Sequence, residues 1–195
     1  MTQAFVVGNG RSRRSLNLCE LQNHGTVYGC NALYREFVPD VLVASDRGIS
    51  EQIQHTGYAQ RHCFYTRRPL PNLGARRIHD RYWGYSSGQI AMAQAALDQH
   101  SVIFLLGFDL GSVDQWFNNV YADTEFYKRS TARPTYSGNW RRQMLQIMRD
   151  FPRSQFVRVQ GTESTVVPEL DTCVNYSTET VMDFCARFQL TASRV

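Results

Sequence analysis

The first residues with the types and spacing to do chemistry stand near the start of the chain. Gly8-Asn9-Gly10-Arg11-Ser12 follows the apolar run Ala4-Phe5-Val6-Val7 directly. Two glycines let the backbone approach a ligand closely. Amides in such a loop, and at the start of a following helix, point N–H donors at an anion, and Arg11 and Ser12 add a charge and a hydroxyl. A phosphate is the expected ligand, and a tight strand-to-helix turn without any ligand is the alternative. Two further candidates carry groups that titrate. Asp46 either activates an acceptor or caps the helix that starts at Arg47. His79, in a loop rich in proline and glycine, is either a base or an exposed loop histidine.

The elements that must position these residues read as alternating strands and helices. After the glycine loop, Arg13 to Leu21 is loosely helical, with apolar residues at Leu16, Leu18 and Leu21. Strands are expected at Thr26–Cys30, Val41–Ala44, Arg61–Thr66, Val102–Leu106 and, last, Gln155–Val159. Helices are expected over Arg47–Thr56, stopped by Gly57, from Ser86-Ser87-Gly88 through Leu97, over Trp140–Asp150 before Pro152, and around Val181–Phe188. Residues 67–85 hold Pro69, Pro71, Gly74 and Gly84 and read as a long functional or mobile loop. Residues 111–139, with Trp116, Phe117, Tyr121, Phe126, Tyr127 and Tyr136, read as a lid or packed loop region. Thr191 to Val195 is expected to fray.

Apolar strands alternating with helical segments imply a parallel sheet covered on both faces: an α/β, Rossmann-like three-layer sandwich with a mostly parallel sheet and an irregular lid, in a single domain over residues 1–195. Ligands of such sheets bind beyond the carboxyl ends of the strands. Those ends are polar or glycine-rich one after another: Gly8-Asn9-Gly10, Asn31, Ser45-Asp46 and Gly107-Phe108-Asp109. That agreement favours a ligand site over a bare turn.

Composition narrows the class. Hydrophobic residues make up 43% of the chain, and no run approaches the length of a membrane span or resembles a signal peptide, so a cytoplasmic protein is expected. The five cysteines, Cys19, Cys30, Cys63, Cys173 and Cys185, contain no CxxC pair and suit reduced thiols better than a disulfide frame or a zinc site. Lys128 is the only lysine, so the net charge of +4 is carried almost wholly by arginine. Guanidinium groups favour phosphate or carboxylate partners, or reflect the composition of the source genome. The arginines are scattered without a recognised nucleic-acid motif, which makes nucleic acid an unlikely partner. A homo-oligomer stays open.

Two nucleotide motifs are absent. The dinucleotide fingerprint asks for a small residue where Arg13 stands and an acidic one where Asn31 stands, and no Gly-Lys-Ser/Thr completes a Walker loop. The ordered set of pieces resembles instead the bacterial sialyltransferases of glycosyltransferase family 42 and related glycosyltransferase-like proteins. Gly8-Asn9-Gly10-Arg11-Ser12 is similar to their Gly-Asn-Gly-Pro-Ser, and Gly29-Cys30-Asn31 to their Arg-Cys-Asn. Ser86-Ser87-Gly88 looks like their Thr-Ser-Gly, Gly107-Phe108-Asp109-Leu110 like Gly-Ile-Asp-Phe, and Tyr136-Ser137-Gly138-Asn139 like Tyr-x-Gly-His.

The resemblance implies a site for a nucleotide sugar of the cytidine-monophosphate type. Gly8, Asn9, Gly10, Arg11 and Ser12 would line its phosphate and ribose. Asn31 would contact the phosphate or donor sugar, and Ser86, Ser87, Gly88, Gly107 and Asp109 would hold the nucleoside. Asp46 joins this set from the third strand's end, and Tyr121 and Tyr136 would sit near the leaving phosphate. No Asp-x-Asp motif is present, which fits a site with no metal and no cofactor, the nucleotide sugar being the substrate. Asn139 stands where the family has its presumed basic histidine, and asparagine cannot take up a proton near neutral pH. Gly84 stands where the family has an arginine, and Gly111 where it has an aromatic. The reading is therefore a glycosyltransferase-like protein dependent on a CMP-sugar, or a non-catalytic nucleotide-binding or interaction module on the same fold with its base lost.

Overall fold

A computed structural model describes residues 2–191. Its centre is an eight-stranded sheet in the order β5-β4-β3-β2-β1-β6-β7-β8, with every pairing parallel. The strands are β1 Gln3–Val7, β2 Thr26–Cys30, β3 Val41–Ala44, β4 Cys63–Thr66, β5 Arg76–Arg77, β6 Val102–Leu106, β7 Gln155–Gln160 and β8 Tyr176–Thr180. The helices are α1 Arg47–His55, α2 Tyr58–Arg61, α3 Ser87–Leu97, α4 Gly138–Asp150 and α5 Val181–Phe188. The sheet with helices on both faces is the α/β, Rossmann-like arrangement expected.

Strand alternation divides the core. Ala4 and Val6 of β1, with Tyr28, Val41 and Val43, pack under α3 and α4 against Ile90, Met144 and Ile147. Phe5 and Val7 face the other way, onto Ile49 and Ile53 of α1 and Phe184 and Phe188 of α5. α3 is buried almost all round because Ala91, Ala93, Ala95 and Ala96 let it lie close on the sheet. It also carries the chain from the β5 edge back to β6, beside β1. Strand order therefore reverses between β1 and β6, the place where such sheets open a crevice.

Four expectations are corrected. The segment after the glycine loop forms two short 3₁₀ turns, Arg11–Arg13 and Leu18–Asn23, because Leu16, Leu18 and Leu21 do not repeat at α-helical spacing. The 67–85 stretch is less irregular than its prolines suggest: β5 adds to β4 within it, and Ile78 and Tyr82 are buried. β7 is not the last strand, since polar Tyr-Ser-Thr-Glu-Thr forms the edge strand β8 with only part of one face to bury. Thr191 does not hang free: its N–H and hydroxyl both donate to Glu20 at 2.8 and 2.5 Å. Residues 192–195 of the expected frayed tail lie outside the described residues. No helix among the described residues is long and apolar enough to cross a membrane.

Candidate functional site

A cavity of ≈ 440 Å³ opens at the carboxyl ends of β1, β2, β3, β4 and β6. Of the residues singled out in the sequence, Gly8, Asn9, Gly10, Asn31, Asp46, Ser86, Ser87, Gly88, Gly107 and Asp109 line it. Arg11, Ser12, Tyr121, Tyr136 and Asn139 lie outside its lining.

The glycine loop is a closed structure rather than an open cradle. Its Gly8 N–H donates to Leu106 O and its Gly10 N–H to Gly107 O, both at 2.8 Å. Arg11 N–H donates to Asn118 Oδ1 at 2.8 Å and Ser12 N–H to Asp109 Oδ2 at 3.1 Å. Four of the five loop donors are thus taken, the Asn9 N–H having no partner among the described residues, and the anion that takes one of them is the protein's own carboxylate. A Cβ on Gly10 would come within 2.5 Å of the Asp109 carboxyl group, so only glycine fits above it. Asp109 Oδ1 accepts from the Ser164 hydroxyl at 3.0 Å, which commits both carboxylate oxygens. Underneath, the fully buried Arg158 donates to the carbonyls of Phe108, Asp109 and Thr165 at 2.7, 2.9 and 3.0 Å, fixing the turn that carries Asp109.

The arginines of this loop are also committed. Arg11 Nη2 pairs with both Asp114 and Glu163 at 2.9 and 2.8 Å, and its buried Nε has no partner among the described residues. Arg13, 4% exposed, donates to Gly8 O and, in two-pronged fashion, to Glu36 at 3.0 and 2.7 Å. Its guanidinium also reaches the Tyr121 hydroxyl at 2.9 Å, and that hydroxyl donates to Glu36. Tyr121 is therefore a clasp between the 111–137 segment and the turns that follow β1 and β2, outside the cavity lining. Burial alone would raise the Glu36 carboxyl, but the bonds from Arg13 and Tyr121 outweigh it and hold its pKa below the ordinary value. Burial pushes the Tyr121 hydroxyl up, so it stays protonated as a donor. Further ties, from Val120 N–H to Asn9 O and from Ala32 N–H to the Tyr127 hydroxyl, make the segment a fixed roof.

The other wall is open. α3 begins with Ser86 as N-cap, and no side chain caps it. The N–H groups of its first turn have no intrahelical carbonyl to bond, so they carry partial positive charge into the cavity beside Ser86 and Gly88. Ser87 holds this turn against β3: its hydroxyl accepts from Ser45 N–H at 2.9 Å and pairs with the Ser45 hydroxyl at 2.8 Å.

Two cations that were not singled out as site residues line the same cavity. Arg67, just past β4, is anchored by donation to the carbonyls of Trp83 and Tyr85 at 2.5 and 2.7 Å, with its guanidinium over the Trp83 ring. These bonds place it on either side of Gly84 and leave Nη1 uncommitted. Lys128 reaches in from the roof, lying over Phe117 and donating to Thr135 at 3.3 Å. Arg67 could have been found by the same strand-end rule that found Asn31 and Asp46, and Lys128 by being the only lysine.

Asp46 stands at the N-cap of α1, yet its side chain makes no capping bond, and this exposed residue lines the cavity with no ion pair among the described residues. Asn31 adopts φ 53, and its buried Oδ1 has no partner among the described residues. Cys30 is pushed up to about 12 by burial, which leaves it a neutral thiol donating to Asn9 Oδ1. Phe117, Phe126, Tyr127 and Trp140 supply flat apolar surface. His79 is exposed and caps its own 3₁₀ turn through Nδ1, away from the cavity. Tyr136 is 76% exposed, and Asn139, on the first turn of α4, accepts from Arg142. Among the described residues no group of three or more His, Cys, Asp or Glu side chains is placed to hold a metal ion.

No protein-family model matches the sequence, and neither does any curated protein. Among solved structures, the chain is similar in fold to a variant of sialyltransferase CST-II in complex with CMP, with TM-score 0.54 and 14% identity over 80% of this chain and 81% of that one. It also matches sialyltransferase CstII from Campylobacter jejuni in complex with the substrate analogue cytidine-5'-monophosphate, with TM-score 0.49 and 15% identity over 81% and 79% of the two chains.

Proposed function

We propose that the cavity binds a nucleotide of the cytidine-monophosphate type, alone or carrying a sugar, with its phosphate at the opening turn of α3. The observation that carries this reading is the convergence of uncapped helix N–H groups, the Ser86 hydroxyl and two cations, Arg67 and Lys128, on one cavity at the switch point. Side-chain amides of Asn9, Asn31, Asn118 and Asn119 and the aromatic surfaces of Phe117, Tyr127 and Trp140 suit the ribose and base. The likeness in fold to a CMP-bound sialyltransferase supports the choice of nucleotide. A second reading, transfer of a sugar from that nucleotide, is favoured by Asp46, a cavity residue whose carboxylate bonds to no other group among the described residues and so could accept an acceptor's proton. Departing phosphate would then be stabilised by the same donors that bind it.

Thermal unfolding with CMP, cytidine and inorganic phosphate tests the binding. A ligand of the native state raises the melting temperature, and CMP is expected to do so more than either fragment. No shift with CMP at millimolar concentration overturns the proposal. For transfer, donor hydrolysis lost in Asp46→Asn with CMP binding retained supports the second reading. Turnover unchanged in that variant contradicts it.

A further inference from the structure

The two edges of the sheet are built differently. β5 ends one side with two residues, both exposed arginines, the short charged kind of edge that discourages pairing. β8 ends the other with five residues that include no lysine or proline. Its one charged side chain, Glu179, is paired with Arg187 at 2.8 Å.

Register settles which backbone groups of β8 are free. Phe156 N–H donates to Asn175 O, and Phe156, Arg158 and Gln160 stand opposite Tyr176, Thr178 and Thr180. In a parallel ladder this turns the backbone of Asn175, Ser177 and Glu179 toward β7 and that of Tyr176, Thr178 and Thr180 outward. Two of the outward groups are occupied. Tyr176 N–H donates to Cys173 O at 3.1 Å, and Thr180 C=O, at the N-cap of α5, accepts the first helical bond. What remains without a partner among the described residues is the Tyr176 C=O, both groups of Thr178, and the Thr180 N–H, a set symmetric about Thr178.

We propose that β8 pairs antiparallel with β8 of a second copy of this chain, about a two-fold axis at Thr178, so that two sheets continue as one. Thr178 exchanges both its bonds with its counterpart, and each Thr180 N–H donates to the opposite Tyr176 C=O. Every free group is then used, which a strand of unrelated register does not achieve but an isologous contact supplies by symmetry. Val174 and Met182, which flank the strand, are 98% and 76% exposed and give the pairing an apolar border at each end.

Sedimentation equilibrium of the full chain tests this. Wild type is expected to form a reversible dimer between micromolar and millimolar concentration. Thr178→Pro removes a donor that β7 does not use, so the fold tolerates it, and self-association should weaken at least about tenfold with the circular dichroism unchanged. In a Cys19→Ser background, Thr178→Cys places two Cα atoms about 5.5 Å apart across the axis, within reach of a disulfide. It should cross-link on mild oxidation, and Val174→Cys should not. A wild type that stays monomeric, or Thr178→Cys that links no faster than Val174→Cys, overturns the proposal. Should Thr178→Pro fail to fold, the cysteine pair decides alone.

Discussion

The glycine loop after β1 and the opening turn of α3 face each other across one cavity, and both pair glycine with serine near a strand end. The fold uses them in opposite ways. Around Gly8–Ser12, every backbone donor but the Asn9 N–H is answered, by Leu106, Gly107, Asn118 and Asp109, and the nearby arginines are answered by carboxylates. Around Ser86–Gly88 the first-turn donors are left for something else, with Arg67 and Lys128 close by. A donor-rich motif becomes a binding site only where the rest of the chain has not already satisfied it. In the proposed reading the closed loop is a rigid floor, and the open turn does the recognising.

The contrast breaks most severely at Arg158. Arg158→Met removes three hydrogen bonds and leaves the carbonyls of Phe108 and Thr165 without a donor, while that of Asp109 keeps the Thr165 N–H and hydroxyl; at about 1 kcal/mol for each lost bond the loss of stability should be about 3 kcal/mol. Urea unfolding measures it, and a loss below about 1 kcal/mol would mean that the turn carrying Asp109 stands without the guanidinium.

Next comes the clasp. Glu36→Ala strands Arg13 as a buried unpaired cation, and since Glu36 is itself 41% exposed, the usual cost of breaking a buried pair is reduced to about 2 kcal/mol. Because the Glu36 pKa is lowered from its ordinary 4.5, the stability it lends is complete above that pH and lost as pH falls through the lowered value. Melting temperature followed against pH should show this acid loss in wild type and a shallower one in Glu36→Gln. Identical acid profiles would contradict the clasp.

On the open side, Ser87→Ala removes the acceptor of Ser45 N–H and should cost about 1 kcal/mol, with CMP binding weakened about threefold as the helix opening loosens. An unchanged affinity would place the phosphate elsewhere. The smallest effect is expected at positions suggested by sequence resemblance but turned away from the cavity. Tyr136→Phe and Asn139→His should leave CMP affinity within about twofold, as titration calorimetry can verify, because surface changes without buried contacts do little.

Much of the frame was legible because continuous apolar runs such as Val102–Leu106 and Val41–Ala44 are what a sheet buried on both faces demands. β8 was not, since an edge strand needs little apolar surface and Tyr176–Thr180 offers little. The strand-end rule located Asn31, Asp46 and Asp109 at the cavity. It could not tell that Asp109 would turn its carboxylate onto the loop, because that depends on Ser12 and Ser164 arriving from distant parts of the chain. Arg11 and Arg67 show the same limit. Both follow strands, and only tertiary contacts decide that Arg11 meets the carboxylates of Asp114 and Glu163 while Arg67 is held by the carbonyls of Trp83 and Tyr85.

That pair of arginines offers the most direct measurement: calorimetric titration of CMP into wild type, Arg67→Gln and Arg11→Gln. With the phosphate at α3, Arg67→Gln should lose about tenfold in affinity through one charge-assisted bond, and Arg11→Gln should bind as wild type does. Loss in Arg11→Gln with affinity intact in Arg67→Gln would place the anion at the glycine loop and contradict the account.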